Sequence, residues 1–204
     1  MSKSHCDECV KNDEDCCSSY YTRFVTLGDV RRIARFLEKQ KEGVFRQGKK
    51  ETPSVRKSGF LRYAELSDYD KRTELYAKRP HNYYYDLARD GKVLQIREKK
   101  NRACMFFRKD GSCSIYPARP LACRVFPFWF SDRGKIIVDN NGFDCPIVCG
   151  KKPLNENPSE AGIRSGLRKI GYKKSEIKEL ISQLMKEIEE YRLNICSFVK
   201  KNRI

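Results

Sequence analysis

The sequence is poor in the residues on which much enzyme chemistry depends. Its 204 residues include two histidines, His5 and His81, and a single tryptophan. Acid–base or triad catalysis built on histidine therefore has few candidates. There is no Gly-rich dinucleotide loop after a strand and no phosphate-binding Gly-Lys-Ser/Thr motif. The sequence singles out no catalytic residue.

Long apolar stretches are also absent. No run approaches the ~20 residues that span a membrane, and the opening MSKSHCDECV has no apolar core of a signal peptide. We therefore expect a cytoplasmic protein without a membrane span. In a reducing compartment, clustered cysteines indicate metal or iron–sulfur ligands before disulfides.

Acidic residues are few relative to basic ones. There are 43 Lys and Arg against 27 Asp and Glu, a formal charge of +16. The excess is concentrated in residues 31–102, whereas residues 1–30 are net acidic. Interleaved Tyr and Lys/Arg over 60–102 fit stacking on bases and neutralising phosphates, so this region is a candidate nucleic-acid surface. A solvated basic face over a small core is the competing interpretation.

Cysteine is abundant, with ten residues in spaced groups. A Cys-x2-Cys loop lets two thiolates converge on one metal from a tight turn. The number suffices for two four-thiolate sites, and zinc and a four-cysteine iron–sulfur cluster (4Fe-4S) both fit the spacing. Cys145 can supply the last ligand without Cys149, and Cys196 is interpreted as a core residue of a helix. The candidate ligands are Cys6, Cys9, Cys16, Cys17, Cys104, Cys113, Cys123 and Cys145.

Local patterns predict an α+β fold: a small cysteine-rich domain of short antiparallel strands and loops, braced by helices, with a long C-terminal helix. Thr26 and Asp29 resemble a capping box that opens a helix to about Lys41. Strands are expected at 92–98, pairing with 104–108, and in a hairpin of 128–131 with 135–139. Apolar stripes predict helices over 159–170 and 175–201.

The change to helical composition after Cys149 suggests a domain boundary. We expect a cysteine-cluster metal-binding domain over 1–150, containing a basic, Tyr-rich insertion at about 46–90. A C-terminal helical segment follows over 151–204.

Residues 104–127, CMFFRKDGSCSIYPARPLACRVFP, resemble the signature of the YkgJ-like cysteine-cluster family, the putative zinc- or iron-chelating domain. The family's early Cys-x2-Cys and Cys-Cys pair are matched by Cys6, Cys9, Cys16 and Cys17, with a wider gap before Cys16. Cys145-Pro146 is similar to its late Cys-Pro. The resemblance implies a metal-binding cysteine domain, and it includes relatives similar to flagellin lysine N-methylases.

Two arginines flank Cys123 in this motif, Arg119 and Arg124. A guanidinium stays charged and can donate several N–H groups to thiolate or sulfide sulfur. An ion pair with Asp110 or Asp144 is the alternative role.

Three functions from different classes follow. The first is an intracellular iron–sulfur or zinc protein acting in modification, maturation or electron transfer of a protein partner. The second is an enzyme similar to the protein-lysine N-methylases. The third is a zinc-stabilised module that binds nucleic acid through residues 31–102.

Overall fold

The structure, a computed structural model, describes residues 17, 23–42, 59–65, 91–131, 135–138 and 159–204. The predicted insertion at 46–90 falls largely outside these ranges. Cys149 and four of the candidate ligands also lie outside these ranges, and the ligand roles of these four stay predictions: Cys6, Cys9, Cys16 and Cys145.

The described ranges confirm the α+β prediction. Four helices accompany two antiparallel strand pairs, and the last helix is by far the longest. In chain order the elements are α1 (Leu27–Glu42), β1 (Leu61–Glu65), β2 (Lys92–Ile96), a 3-10 turn (Tyr116–Ala118), α2 (Leu121–Val125), β3 (Phe128–Phe130), β4 (Ile136–Val138), α3 (Glu160–Lys169) and α4 (Lys174–Asn202).

Helix α1 starts at the predicted capping box. The backbone nitrogen of Asp29 donates to Thr26 Oγ1 at 2.9 Å, and the nitrogen of Thr26 donates to Asp29 Oδ2 at 3.0 Å. Two otherwise unpaired amides are thus satisfied by side chains. The apolar face of α1, including Val30 and Ile33, is buried.

The predicted pairing of residues 92–98 with 104–108 is confirmed only at its end, because strand β2 has a different main partner. Its main partner is β1, with Leu61 opposite Ile96 and Glu65 opposite Lys92. Residues 104 and 105 pair with residues 97 and 98, just beyond the end of β2, where Glu98 forms an antiparallel bridge with Cys104. Four successive residues of β2 are buried, so the strand is covered on both faces, as expected of a central strand rather than a half-exposed hairpin arm.

The segment 23–25 lies along β2 as well, because Phe24 bridges Gln95. The nitrogen of Val25 donates to the Leu94 carbonyl at 3.1 Å, and that of Ile96 donates to the Arg23 carbonyl at 3.0 Å. The chain entering α1 is therefore fixed to the centre of the sheet.

The hairpin of β3 and β4 and the two C-terminal helices agree with the predictions. Helix α4 packs against α1, α2 and β3. Its buried stripe is Ile177, Ile181, Leu184, Ile188, Tyr191 and Ile195.

The prediction that Cys196 is a core residue is wrong, since it is exposed. Cys196 follows Ile195 by one residue, which is about 100° around the helix and away from the stripe. In the described part of the chain, no helix has both the length and the apolar composition needed to cross a bilayer.

Candidate metal centre

Two successive tight turns carry Cys104 and Cys113. In the first, the nitrogen of Met105 donates to the Arg97 carbonyl at 3.1 Å, and that of Lys99 donates to the Ala103 carbonyl at 2.8 Å. In the second, Phe107 bridges Cys113, and the predicted Asp110-Gly111 turn closes the arms. Gly111 has a φ of 80°, a conformation that glycine adopts without strain. Cys104 thus lies on the returning arm of the first turn, and Cys113 lies on the returning arm of the second.

Cys17, from the N-terminal cysteine group, contacts the first of these turns. The nitrogen of Cys104 donates to the Cys17 carbonyl at 2.7 Å. Cys17 itself is partly buried, and Cys104 is 7% exposed. Two cysteines separated by 87 positions are therefore brought into direct backbone contact.

Arg23 holds the same junction. Its Nη2 donates to the Cys17 carbonyl at 2.9 Å, and its Nη1 pairs with Glu98 Oε1 at 3.1 Å. The arginine is buried, with 8% of its surface exposed. A buried guanidinium with these two partners clamps the Cys17 backbone to the strand segment that bridges Cys104.

The sulfur of Cys104 lies among groups that act on its ionisation in opposite directions. Burial raises the pKa of the Cys104 thiol above its ordinary value. The backbone N–H groups of Phe106 and Phe107, together with the charges of Arg23 and Lys99, lower that pKa in part. If Cys104 were to bind a metal as a thiolate, the same N–H groups and cations would stabilise its negative charge.

Cys123 lies in the short helix α2 and is exposed. This helix follows the turn that starts at Cys113, where the nitrogen of Tyr116 donates to the Cys113 carbonyl at 3.2 Å. The neighbouring Leu121 and Val125 are buried. The core thus fixes α2 while Cys123 remains at the surface.

Of the two arginines predicted to support the site, Arg119 stacks on an aromatic ring. Its guanidinium carbon lies 4.0 Å from the centroid of Tyr116, which fits a cation–π contact. Asp110, one of the alternative ion-pair partners, accepts hydrogen bonds from the nitrogen and hydroxyl of Ser112. Asp144, the other, lies outside the described ranges. The role of Arg124 at the site stays a prediction.

Arg23 is the supporting residue that sequence reasoning missed. It lies 81 positions before Cys104, and nothing in its local pattern distinguishes it from the other basic residues. The one feature of the sequence that could have indicated its role is its position six residues after the Cys16-Cys17 pair.

Within the described ranges, no three Cys, His, Asp or Glu side chains are grouped so as to hold a metal ion. The structure brings together Cys17 and Cys104 by backbone contact and places Cys113 on the turn that follows. The donor chemistry fits a thiophilic metal, because thiolates with N–H donors and a nearby guanidinium suit zinc and iron–sulfur centres alike.

These observations define the class of the protein, which is an α+β protein with cysteines on two successive turns and on the short helix that follows. A family model described as a putative zinc- or iron-chelating domain, CxxCxxCC, matches residues 5–150. The chain belongs to this family, and its cysteine domain is accordingly a metal-binding one. Neither the curated proteins nor the solved structures contain a match to the chain.

Proposed function

We propose that the chain holds an iron–sulfur cluster or zinc through its clustered cysteines and acts in the modification, maturation or electron transfer of a partner protein. The observation that carries this proposal is the 2.7 Å hydrogen bond from the Cys104 nitrogen to the Cys17 carbonyl. It joins the cysteine-rich N-terminus to the central cysteine motif, so ligands from both groups can contribute to one centre.

The polar surroundings of Cys104 support a ligand role over a packing role. A cysteine that only fills a core needs no hydrogen-bond donors at its sulfur. Here Phe106 and Phe107 supply N–H groups to that sulfur, and Arg23 and Lys99 supply positive charge. Burial keeps the pKa of this thiol above its ordinary value, but these groups act against burial and favour the charged form of the sulfur, which is the form that binds metal.

A role toward another protein is supported by the position of Cys123. It is exposed although its helix is anchored by the buried Leu121 and Val125. A centre with one ligand at the surface is reachable by a partner for exchange of metal, electrons or a modifying group.

The full chain should be purified without oxygen, its visible absorption recorded, and its iron, sulfide and zinc counted. A brown protein with about four or eight iron and sulfide per chain favours an iron–sulfur role. A colourless protein with one or two zinc ions favours a structural centre. A protein with none of these metals, even after reconstitution, would contradict the proposal. Binding of S-adenosylmethionine by the iron-loaded chain would instead favour the methylase-like alternative.

A second candidate function, binding of nucleic acid, is favoured by the charges on the two cysteine turns. The turns expose five cations against one acid: Lys99, Lys100, Arg102, Arg108 and Lys109 against Asp110. The Lys99 ammonium also donates to the Phe107 carbonyl, which links the first turn to the second. Contacts with phosphates release counterions, so affinity for a nucleic acid should fall steeply with salt. A shallow salt dependence would contradict this function.

A further inference from the structure

A buried polar cluster lies between α1, α2 and α4. Its members are Thr26, Asp29, Arg32 and Glu187. Thr26 and Asp29 are almost completely buried, with 0% and 1% of their surfaces exposed. Charged groups at such positions are costly unless each is paired, so their partners indicate what the cluster does.

The carboxylate of Asp29 reaches the first residue of α2. Its Oδ1 accepts a hydrogen bond from the Leu121 nitrogen at 2.8 Å. The residue before this helix is Pro120, whose side chain makes no capping hydrogen bond. Asp29 therefore supplies from α1 the cap that α2 lacks in its own sequence.

Arg32 links this carboxylate to the C-terminal helix. Its guanidinium pairs with Asp29 and contacts both oxygens of Glu187, with Nη2 to Oε2 at 2.9 Å. Thr26 Oγ1 donates to Glu187 Oε2, and Gln183 donates to Oε1 at 3.0 Å. Helix α4 also packs directly on α2. The position of α2 is thus fixed from both neighbouring helices.

We propose that Asp29 is a positioning residue for Cys123, and that Glu187 supports it through Arg32. Leu121 precedes Cys123 by two residues in a five-residue helix, so a displacement of the helix start displaces the thiol. The inference rests on the proposed function, in which Cys123 is a ligand. It adds a dependence of the metal centre on α4, which lies beyond the residues 5–150 that match the family.

The test uses the metal-free full chain and Co²⁺ as the probe, with affinity measured by chelator competition. We expect Asp29→Asn to weaken Co²⁺ binding about tenfold, as outer partners of metal ligands do, and Glu187→Gln to weaken it about threefold. Glu190→Gln is the matched control, because Glu190 pairs α4 with Arg31 of α1 but lies outside the cluster. It should leave the affinity unchanged.

A second readout separates positioning from general stability. The thiolate-to-cobalt charge-transfer band should lose intensity per bound ion in Asp29→Asn, because one thiolate is less well placed. A folded Asp29→Asn chain with wild-type affinity and band would overturn the proposal. Should that variant not fold, the same comparison between Glu187→Gln and Glu190→Gln applies, and equal affinities would overturn it.

A double-mutant cycle with Cys123→Ser identifies the route of the effect. If Asp29 acts through Cys123, Asp29→Asn should have little further effect on Co²⁺ affinity in the Cys123→Ser chain. If the losses of Co²⁺ affinity from the two substitutions add, the positioning role of Asp29 would be overturned, but the ligand role of Cys123 would not. An unchanged affinity and band in Cys123→Ser would overturn the ligand role of Cys123, and a wild-type chain that binds no Co²⁺ would overturn the metal centre itself.

Discussion

The backbone nitrogen of Cys104 donates a 2.7 Å hydrogen bond to the carbonyl of Cys17. This bond joins the two cysteine-rich parts of the sequence, and Arg23 reinforces it through the same carbonyl. Because the contact is made by main-chain groups, it does not involve either sulfur. The arrangement suits a centre assembled from distant segments around a small sheet.

The clamp made by Arg23 can be tested by removing its charge. We expect Arg23→Gln to destabilise the metal-free chain by about 1–3 kcal/mol, the range for lost hydrogen bonds to charged groups, and to weaken metal binding about tenfold. Arg62→Gln is the control, since Arg62 also pairs with Glu98, at 3.0 Å. Chemical denaturation and chelator competition give the two quantities. Equal effects of the two substitutions would contradict the clamp.

Serine substitutions test whether the central cysteines stabilise the fold through metal. A structural zinc site can supply on the order of 10–16 kcal/mol of apparent binding free energy, comparable to the stability of a whole domain. We expect Cys113→Ser or Cys123→Ser to give a protein that melts at a lower temperature than the wild type and aggregates when heated. Cys196→Ser, at an exposed position on α4, should melt like the wild type. A soluble Cys113→Ser/Cys123→Ser chain with unchanged melting would show this account to be wrong.

The substitution Gly28→Ala tests the polar cluster, because we expect it to change stability in the direction opposite to the usual one for a helical glycine. Alanine in place of a helical glycine normally stabilises by roughly 0.5–1 kcal/mol. A Cβ at position 28 would overlap the Glu187 carboxylate, which is held by Arg32 and Thr26. We therefore expect Gly28→Ala to lower the free energy of unfolding.

The same substitution should stabilise the chain when Glu187 is first shortened to alanine. Urea denaturation of the four proteins measures this coupling. An increase in the unfolding free energy on Gly28→Ala in the wild-type background would contradict the predicted overlap.

Tyr191 predicts a dependence of stability on alkaline pH. Its hydroxyl accepts a hydrogen bond from the Leu94 nitrogen at 2.9 Å, and its ring packs edge-on against Phe24 with centroids 5.1 Å apart. Burial raises the pKa of Tyr191 above its ordinary value of 10.0. Because of the raised pKa, the Tyr191 hydroxyl keeps its proton to a higher pH in the folded state than in the unfolded state. The contribution of Tyr191 to the free energy of unfolding is therefore fully present below about pH 10 and is lost as the pH rises further.

Tyr191→Phe should therefore cost about 1–3 kcal/mol near neutral pH, because the buried Leu94 amide loses its partner. The difference in unfolding free energy between the wild type and Tyr191→Phe should become smaller between about pH 10 and about pH 12. Denaturation at each pH measures it, with Tyr172→Phe as a control for the loss of one phenol. A constant or widening difference would contradict the assignment.

Local sequence patterns predict much of this fold. The features that they do not predict depend on contacts between residues far apart in the sequence. The start of α1 follows from Thr26 and Asp29, three residues apart, and the face of α4 follows from its apolar period. The partner of β2 was missed because β1 lies in an aromatic-rich stretch without a clear period. Proximity to the stripe does not place Cys196 in the core, because its side chain lies about 100° around the helix from that of Ile195.

The supporting residues of the site depend on contacts that no local pattern encodes. Asp29 was recognised as a helix cap, but its second role at Leu121 joins positions 92 residues apart. Arg23 likewise reaches Cys17 and Glu98 only after the sheet forms. By contrast, Cys104, Cys113 and Cys123 stand out by residue type and motif, and their ligand roles remain predictions.

X-ray absorption spectroscopy of the metal bound to the anaerobically purified full chain tests the central claim most directly. If clustered cysteines hold the metal, its first shell contains sulfur at about 2.3 Å, and Cys104→Ser reduces that sulfur contribution. A first shell of oxygen and nitrogen alone, unchanged by Cys104→Ser, would contradict the account.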